Sequence, residues 1–176
     1  MIVGAAGGIG SALARVLAGR GATLLLAGRN GEKLAALGAE LGASQMVLDA
    51  RDIEAVERAV SGFAPLDGVV NCAGSLILKP AHLTSAREWQ ETIETNLTTA
   101  FAVVRAGAKA MMSTGGSIVL CSTAAARTGI ANHEAIAAAK AGVTGLTLSA
   151  AASYAARGIR VNCVAPGLVD TPLAAR

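Results

Sequence analysis

The stretch Asn132–Lys140, NHEAIAAAK, sets His133, Ile136 and Lys140 at i, i+3 and i+7, so they share one face if the segment is helical. Imidazole exchanges protons near neutrality, and a lysine ammonium steadies a nearby anion or holds hydroxyl groups. A second chemical signal is VGAAGGIG (Val3–Gly10), which follows a short apolar run and opens a helical pattern. Glycines so placed let the backbone turn tightly and approach a pyrophosphate seated on the helix N-terminus. About 20 residues further on, where a ribose-binding acid favours NAD, LAGRN (Leu26–Asn30) carries Arg29 and no acid. A guanidinium can pair with a 2′-phosphate, which favours NADP(H) over NAD(H).

These residues need elements to position them. Short β-rich runs alternate with helical patterns: MIV and Gly10–Arg20, TLLLAG and Gly31–Leu41, QMVLD and Asp52–Gly62. LDGVVN is followed by Ser85–Met112, GSIVLCS by Glu134–Arg157, and IRVNCVAP comes last. Runs such as TLLLA and SIVL are continuously apolar, as parallel strands buried on both faces are. The alternation predicts right-handed βαβ units in a doubly wound α/β sheet.

Composition narrows the classes further. The chain has 176 residues, 53% of them hydrophobic and 15% charged, with 21 glycines, so it can bury about 70% of its unfolded surface as one domain. The net charge of +3 comes from scattered arginines and lysines, with no basic run interleaved with aromatics to suit nucleic acid. Cys72, Cys121 and Cys163 lie far apart without a CxxC, and HEAIA lacks the second histidine of a zincin motif, so neither a disulfide framework nor a metal site is expected. The N-terminus has no basic leader pattern and no long apolar stretch reads as a membrane span, which makes the cytoplasm the expected location. A first strand of three residues and a chain that stops soon after Pro166 read as trimmed ends.

In order and spacing the chain from Ile2 to Thr171 resembles the short-chain dehydrogenase/reductase family. The resemblance implies a Rossmann-type three-layer fold with strand order 3-2-1-4-5-6, as one NAD(P)-binding domain over residues 1–176 without the family's C-terminal substrate lid. Gly4, Gly8 and Gly10, with Ile9 between, match the glycine loop, although its usual leading threonine is Val3 here. Asp49 matches the acid that meets the adenine amino group, with Ala50 beside it. Asn71, Ala73 and Gly74 match an Asn-Asn-Ala-Gly stretch whose second position is Cys72. Asn96 matches the asparagine that holds a water in the proton relay, and Pro166, Gly167 and Thr171 match the turn and threonine at the nicotinamide carboxamide.

The family's active site is a serine after the fifth strand, then Tyr-x-x-x-Lys on the next helix. The match fixes Lys140 as the lysine, puts Thr123 at the serine with Ser122 beside it, and puts Ile136 at the tyrosine. The proton donor is therefore absent. Tyr154 lies eighteen residues beyond Ile136, roughly 27 Å along a helix, and reads as a packing residue at the helix end. His133, about 4.5 Å from Ile136 along the axis, is the candidate substitute. The bland alternative is that Asn132 caps the helix while His133 and Glu134 decorate its first turn. His82 reads as a surface residue.

Two functions follow: an NADP(H)-dependent oxidoreductase on a small carbonyl or alcohol substrate with a variant proton donor, or an NADP(H)-binding sensor or partner subunit that lost the chemistry. Lyase or isomerase chemistry has no feature in its favour beyond Lys140. Relatives pair the helices matching 85–112 and 134–157 across a dimer axis, and Ala137, Ala138, Ala141 and Gly142 offer a small-residue surface for a possible homodimer.

Overall fold

The β-rich runs become six parallel strands of one sheet in the computed structural model, which describes residues 1–63 and 65–175. They are β1 (Ile2–Val3), β2 (Leu25–Gly28), β3 (Ser44–Val47), β4 (Gly68–Asn71), β5 (Gly116–Cys121) and β6 (Ile159–Val164), in the expected order β3-β2-β1-β4-β5-β6. The strand order reverses between β1 and β4, so the crevice beyond their C-terminal ends is the topological switch point at which doubly wound sheets bind ligands.

Side-chain alternation divides the core into two layers. Ile2, Leu24 and Leu26 face Ala14 of α1 (Gly8–Ala18) and Leu34 and Leu37 of α2 (Gly31–Leu41). Val3, Leu25, Ala27, Val69, Ile118 and Leu120 face the other way, onto α3 (Ile53–Gly62), α5 (Thr99–Ala110) and α6 (Glu134–Tyr154). Burying each large aliphatic side chain is worth about 1.5–3 kcal/mol. A one-residue slip of any central strand would exchange the two sets, which fixes the register.

The expected helix over 85–112 is interrupted. α4 (Ala86–Ile93) passes through a π-helical turn at Glu94–Thr98 before α5 begins. There the Asn96 amide donates to the Thr92 carbonyl at 3.0 Å and the Thr99 hydroxyl donates to the Thr95 carbonyl at 2.9 Å. Side chains that bond back to i−4 carbonyls compete with the backbone ladder and loosen it locally.

α6 with the 3-10 turn after it, Glu134–Arg157, is the one described helix long and apolar enough to cross a membrane, with a mean hydropathy of 1.3. Its apolarity serves the core instead, since Ala135, Ile136, Ala139, Val143 and Ala150 are buried in the fold. Tyr154 ends this helix, packed against the main core as expected. Of the small residues that suggested a dimer surface, Ala138 and Ala141 are exposed, but Gly142 is used within the chain: a Cβ there would lie 2.9 Å from Leu97 Cδ2.

Candidate active site

The glycine turn connects β1 to α1. Gly4 has φ +76°, and a Cβ on it would stand 2.5 Å from the Ala73 nitrogen, so only glycine lets this turn lie against the end of β4. A Cβ on Gly10 would stand 2.3 Å from the Gly4 carbonyl oxygen. α2, α3 and α4 each begin with a side-chain cap, from Asn30, Asp52 and Ser85, whereas α1 has none. Its first-turn N–H groups are therefore free of side-chain acceptors, as an anion seat at a helix N-terminus requires.

A cavity of about 280 Å³ runs from this turn across the ends of β2 and β3. Its walls include Gly4, Arg29, Asp49 and Ala50, all read from the sequence, and also Lys33 and Arg51, which were not. Arg51 grips Asp49 with Nε at 3.1 and 3.0 Å from the two carboxylate oxygens and Nη2 at 2.6 Å from one. This pairing holds the Asp49 carboxyl below its usual range, with the Arg29 charge adding to the effect. The acid expected at an adenine amino group is thus already engaged by a neighbour. Arg29 and Lys33 have no carboxylate partner among the described ion pairs.

A second cavity, about 310 Å³, shares Cys72, Ala73 and Gly74 with the first and lies beyond the ends of β4 and β5. Asn96, Thr123, His133, Ile136 and Lys140 all contribute to its wall, so the face inferred from NHEAIAAAK does look into one site. Ile9, Pro166, Gly167 and Thr171 border it from the other side. Thr171 bears on the glycine turn, where a Cβ on Gly8 would lie 2.5 Å from its methyl carbon.

Lys140 is 8% exposed, and Nζ donates to the Cys121 carbonyl at 2.8 Å. Burial lowers its pKa, partly opposed by the thiols of Cys121, Cys163 and Cys72. A Cβ on Gly74 would stand 2.9 Å from Asn96 Oδ1 and 3.4 Å from Lys140 Nζ, so glycine keeps this corner open. Asn71 is buried, accepting from the Ala73 nitrogen at 3.0 Å and donating to Thr99 Oγ1 at 3.2 Å.

The structure adds detail to three expectations. Ser122, paired in the sequence reading with Thr123 as a carbonyl-holding hydroxyl, is 6% exposed; it donates to the Lys140 carbonyl at 2.8 Å and meets the Thr144 hydroxyl at 3.1 Å. It ties β5 to α6 at the cavity edge, while Thr123 Oγ1 accepts from the Ala125 nitrogen at 3.4 Å and keeps its proton for donation. Asn96, expected to hold a water, has most of its amide bonded within the protein: Oδ1 accepts from the Ser75 nitrogen at 3.1 Å, which leaves it one lone pair, and Nδ2 donates to Ser75 Oγ and the Thr92 carbonyl, both at 3.0 Å. Its side chain fixes the loop after β4.

Asn132, the cap in the bland alternative, sits at φ 63° with its carbonyl accepting from the Lys79 nitrogen at 2.7 Å. His133 is the N-cap residue, at φ −109°, just outside the helix. Its Nδ1 lies 2.8 Å from the Ala131 carbonyl, so Nδ1 carries a proton and the neutral ring presents Nε2 as an acceptor. Ile136, 3% exposed, contributes hydrocarbon where the resemblance puts a phenol. His82 is exposed, as expected.

A parallel sheet reversed between β1 and β4, with a glycine turn entering α1 at the switch point, defines a Rossmann-type dinucleotide-binding fold. The chain belongs to the short-chain dehydrogenase family, whose model matches residues 1–176. It is 40% identical to the cis-4-hydroxycyclohexanecarboxylate dehydrogenase of Sinomonas cyclohexanicum, over 99% of this chain and 74% of that protein. It is 36% identical to the D-threitol dehydrogenase of Mycolicibacterium smegmatis, over 98% of this chain and 70% of that one. The structure of a variant actinorhodin polyketide ketoreductase with NADPH superposes with a TM-score of 0.93 at 32% identity, covering 99% of this chain and 72% of that one.

Proposed function

We propose that the protein is an NADP(H)-dependent oxidoreductase that interconverts an alcohol and a carbonyl in a small molecule. The observation that carries this reading is the junction of the two cavities at Cys72, Ala73 and Gly74: cations and the glycine turn line one side, Lys140, Thr123 and His133 the other. The curated relatives are named for alcohol oxidation, and the ketoreductase neighbour was solved with NADPH.

The nicotinamide supplies hydride transfer. The uncapped start of α1 and the glycine turn hold the pyrophosphate, while Asn71, Ala73, Gly74, Pro166, Gly167 and Thr171 frame the nicotinamide end. Lys140 holds the ribose hydroxyls. Arg29 and Lys33 take the 2′-phosphate, with Arg51 contributing less because Asp49 already neutralises much of its charge. The Thr123 hydroxyl donates to the substrate oxygen. His133 Nε2 takes the proton that the substrate alcohol releases, because the Ala131 carbonyl holds Nδ1 as the donor.

Two substitutions test this assignment. A charge-assisted contact is worth about 1.5–3 kcal/mol, and Lys33 shares the load, so Arg29→Ala should weaken NADPH binding by roughly 10-fold while leaving NADH binding unchanged. Equal losses for both dinucleotides, measured by calorimetry, would remove the 2′-phosphate role. His133→Ala should slow alcohol oxidation by about 10²–10⁴-fold, without changing NADPH affinity. Unaltered turnover across a panel of secondary alcohols would exclude His133.

The hydrocarbon at Ile136 supports a second reading, a cofactor-binding protein without turnover. It requires tight NADPH binding together with no oxidation or reduction of any substrate in that panel.

A further inference from the structure

All three cysteines of the chain lie around Lys140, but only two of them face each other. β4 and β5 are paired in register, Asn71 opposite Leu120, so the next residues along each strand, Cys72 and Cys121, are opposite one another. Adjacent strands are about 4.8 Å apart, within the roughly 4.4–6.8 Å Cα separation that a disulfide spans. Opposed residues also point to the same face of a sheet. Cys163 lies opposite Leu120, one position out of phase with Cys121, and so belongs to the other face. Both Cys72 and Cys121 contribute to the wall of the Lys140 cavity, which gives a small oxidant access to them.

We propose that Cys72 and Cys121 are a redox-responsive dithiol in the floor of the candidate active site, closed to a disulfide by a hydroperoxide and reopened by a dithiol reductant.

The chemistry balances. The Cys121 thiolate attacks one peroxide oxygen, the O–O bond breaks, and hydroxide leaves with Cys121 as a sulfenic acid. Cys72 sulfur then attacks the sulfenic sulfur; the S–S bond forms, the S–O bond breaks, and water departs with the Cys72 proton. Two electrons pass from the thiols to the peroxide, and a dithiol such as dithiothreitol returns them by exchange. The surroundings favour Cys121 as the first to react. The neighbouring Cys72 and the Lys140 charge, against the cost of burial, hold its pKa below that of a free thiol, whereas Cys72 holds its proton more firmly.

The bond would tie the end of β4 to that of β5 directly beneath Ala73 and Gly74. Shielding of the thiols by cofactor is a further consequence that rests on the NADP(H) reading; the cross-link itself does not.

The test is peptide mapping of the reduced protein after hydrogen peroxide, with free thiols alkylated by iodoacetamide. The expected product joins Cys72 to Cys121, leaves Cys163 alkylated, and reverts with dithiothreitol. Cys163→Ser should still cross-link, and Cys72→Ser and Cys121→Ser should not. If either of those two fails to fold by circular dichroism, the maps of the wild type and Cys163→Ser decide alone. Three alkylated cysteines after peroxide, over-oxidised Cys121 beside free Cys72, or a bond to Cys163 would each overturn the proposal. With NADPH at about 100 times its Kd, cross-linking should slow roughly 100-fold by mass action. An undiminished rate despite measured NADPH binding overturns the shielding. Absence of NADPH binding overturns the cofactor reading and the shielding with it, and leaves the cross-link result standing.

Discussion

In a His133→Ala background, Ile136→Tyr is expected to raise NADPH-coupled turnover by about 10²–10⁴-fold, the range that a positioned general acid or base contributes. Ile136 lies one helical turn from Lys140 on the same face of α6, and both contribute to the wall of the same cavity. A free phenol has a pKa near 10, and the neighbouring ammonium lowers it toward neutrality. The added ring can extend into the cavity of about 310 Å³. Enlarging a side chain that is only 3% exposed still carries a stability cost, of order 1–3 kcal/mol where the surroundings cannot yield. Activity and stability are separate readouts, so a folded, less stable and more active variant agrees with the account. A folded variant with unchanged turnover would show that Thr123, or the shape of the substrate side, limits the chemistry instead.

Gly10→Val is expected to weaken cofactor binding while leaving the sheet intact. A Cβ at this position stands 2.3 Å from the Gly4 carbonyl oxygen and 2.9 Å from Ala5 Cα, and backbone atoms cannot turn aside as a flexible side chain can. The same Gly4 carbonyl accepts from the Gly7 nitrogen at 3.1 Å, so displacing it opens the turn that presents the start of α1. An overpacking strain of about 1–3 kcal/mol, expressed in the binding loop, corresponds to roughly a 5- to 150-fold rise in Kd for NADPH and NADH alike. Calorimetry beside a circular-dichroism spectrum separates this from unfolding. Unchanged affinity would mean that the glycine turn is only structural.

The strand–helix alternation was legible because strands buried on both faces must be apolar without interruption, and TLLLA and SIVL say so in their composition alone. The π-helical turn at Glu94–Thr98 was not. No glycine or proline marks it, and its cause lies partly in a loop distant in sequence, where Ser75 meets the Asn96 amide. Arg51 escaped notice for a related reason: it lies in the turn after β3, where no periodicity fixes the direction of a side chain, while Lys33 stands in the first turn of α2, whose facing depends on how the β2–α2 turn sets the helix. Ser122 was decidable. Period two along β5 places it with Ile118 and Leu120, under α6, and places Thr123 with Cys121, toward the cavity. The role of His133 depended on backbone that the sequence does not specify, since Asn132 enters the left-handed region and His133 becomes the cap.

The glycine turn, the uncapped start of α1 and the cations beyond the ends of β2 and β3 together form the proposed NADP(H) seat. Calorimetric titration of the wild-type protein with NADPH and with NADH tests it most directly. NADPH should bind saturably with a Kd between about 1 μM and 1 mM, the span of ordinary enzyme–substrate constants, and NADH about 10-fold more weakly or less favourably still. Failure of either dinucleotide to bind at millimolar concentration, or tighter binding of NADH, would contradict it.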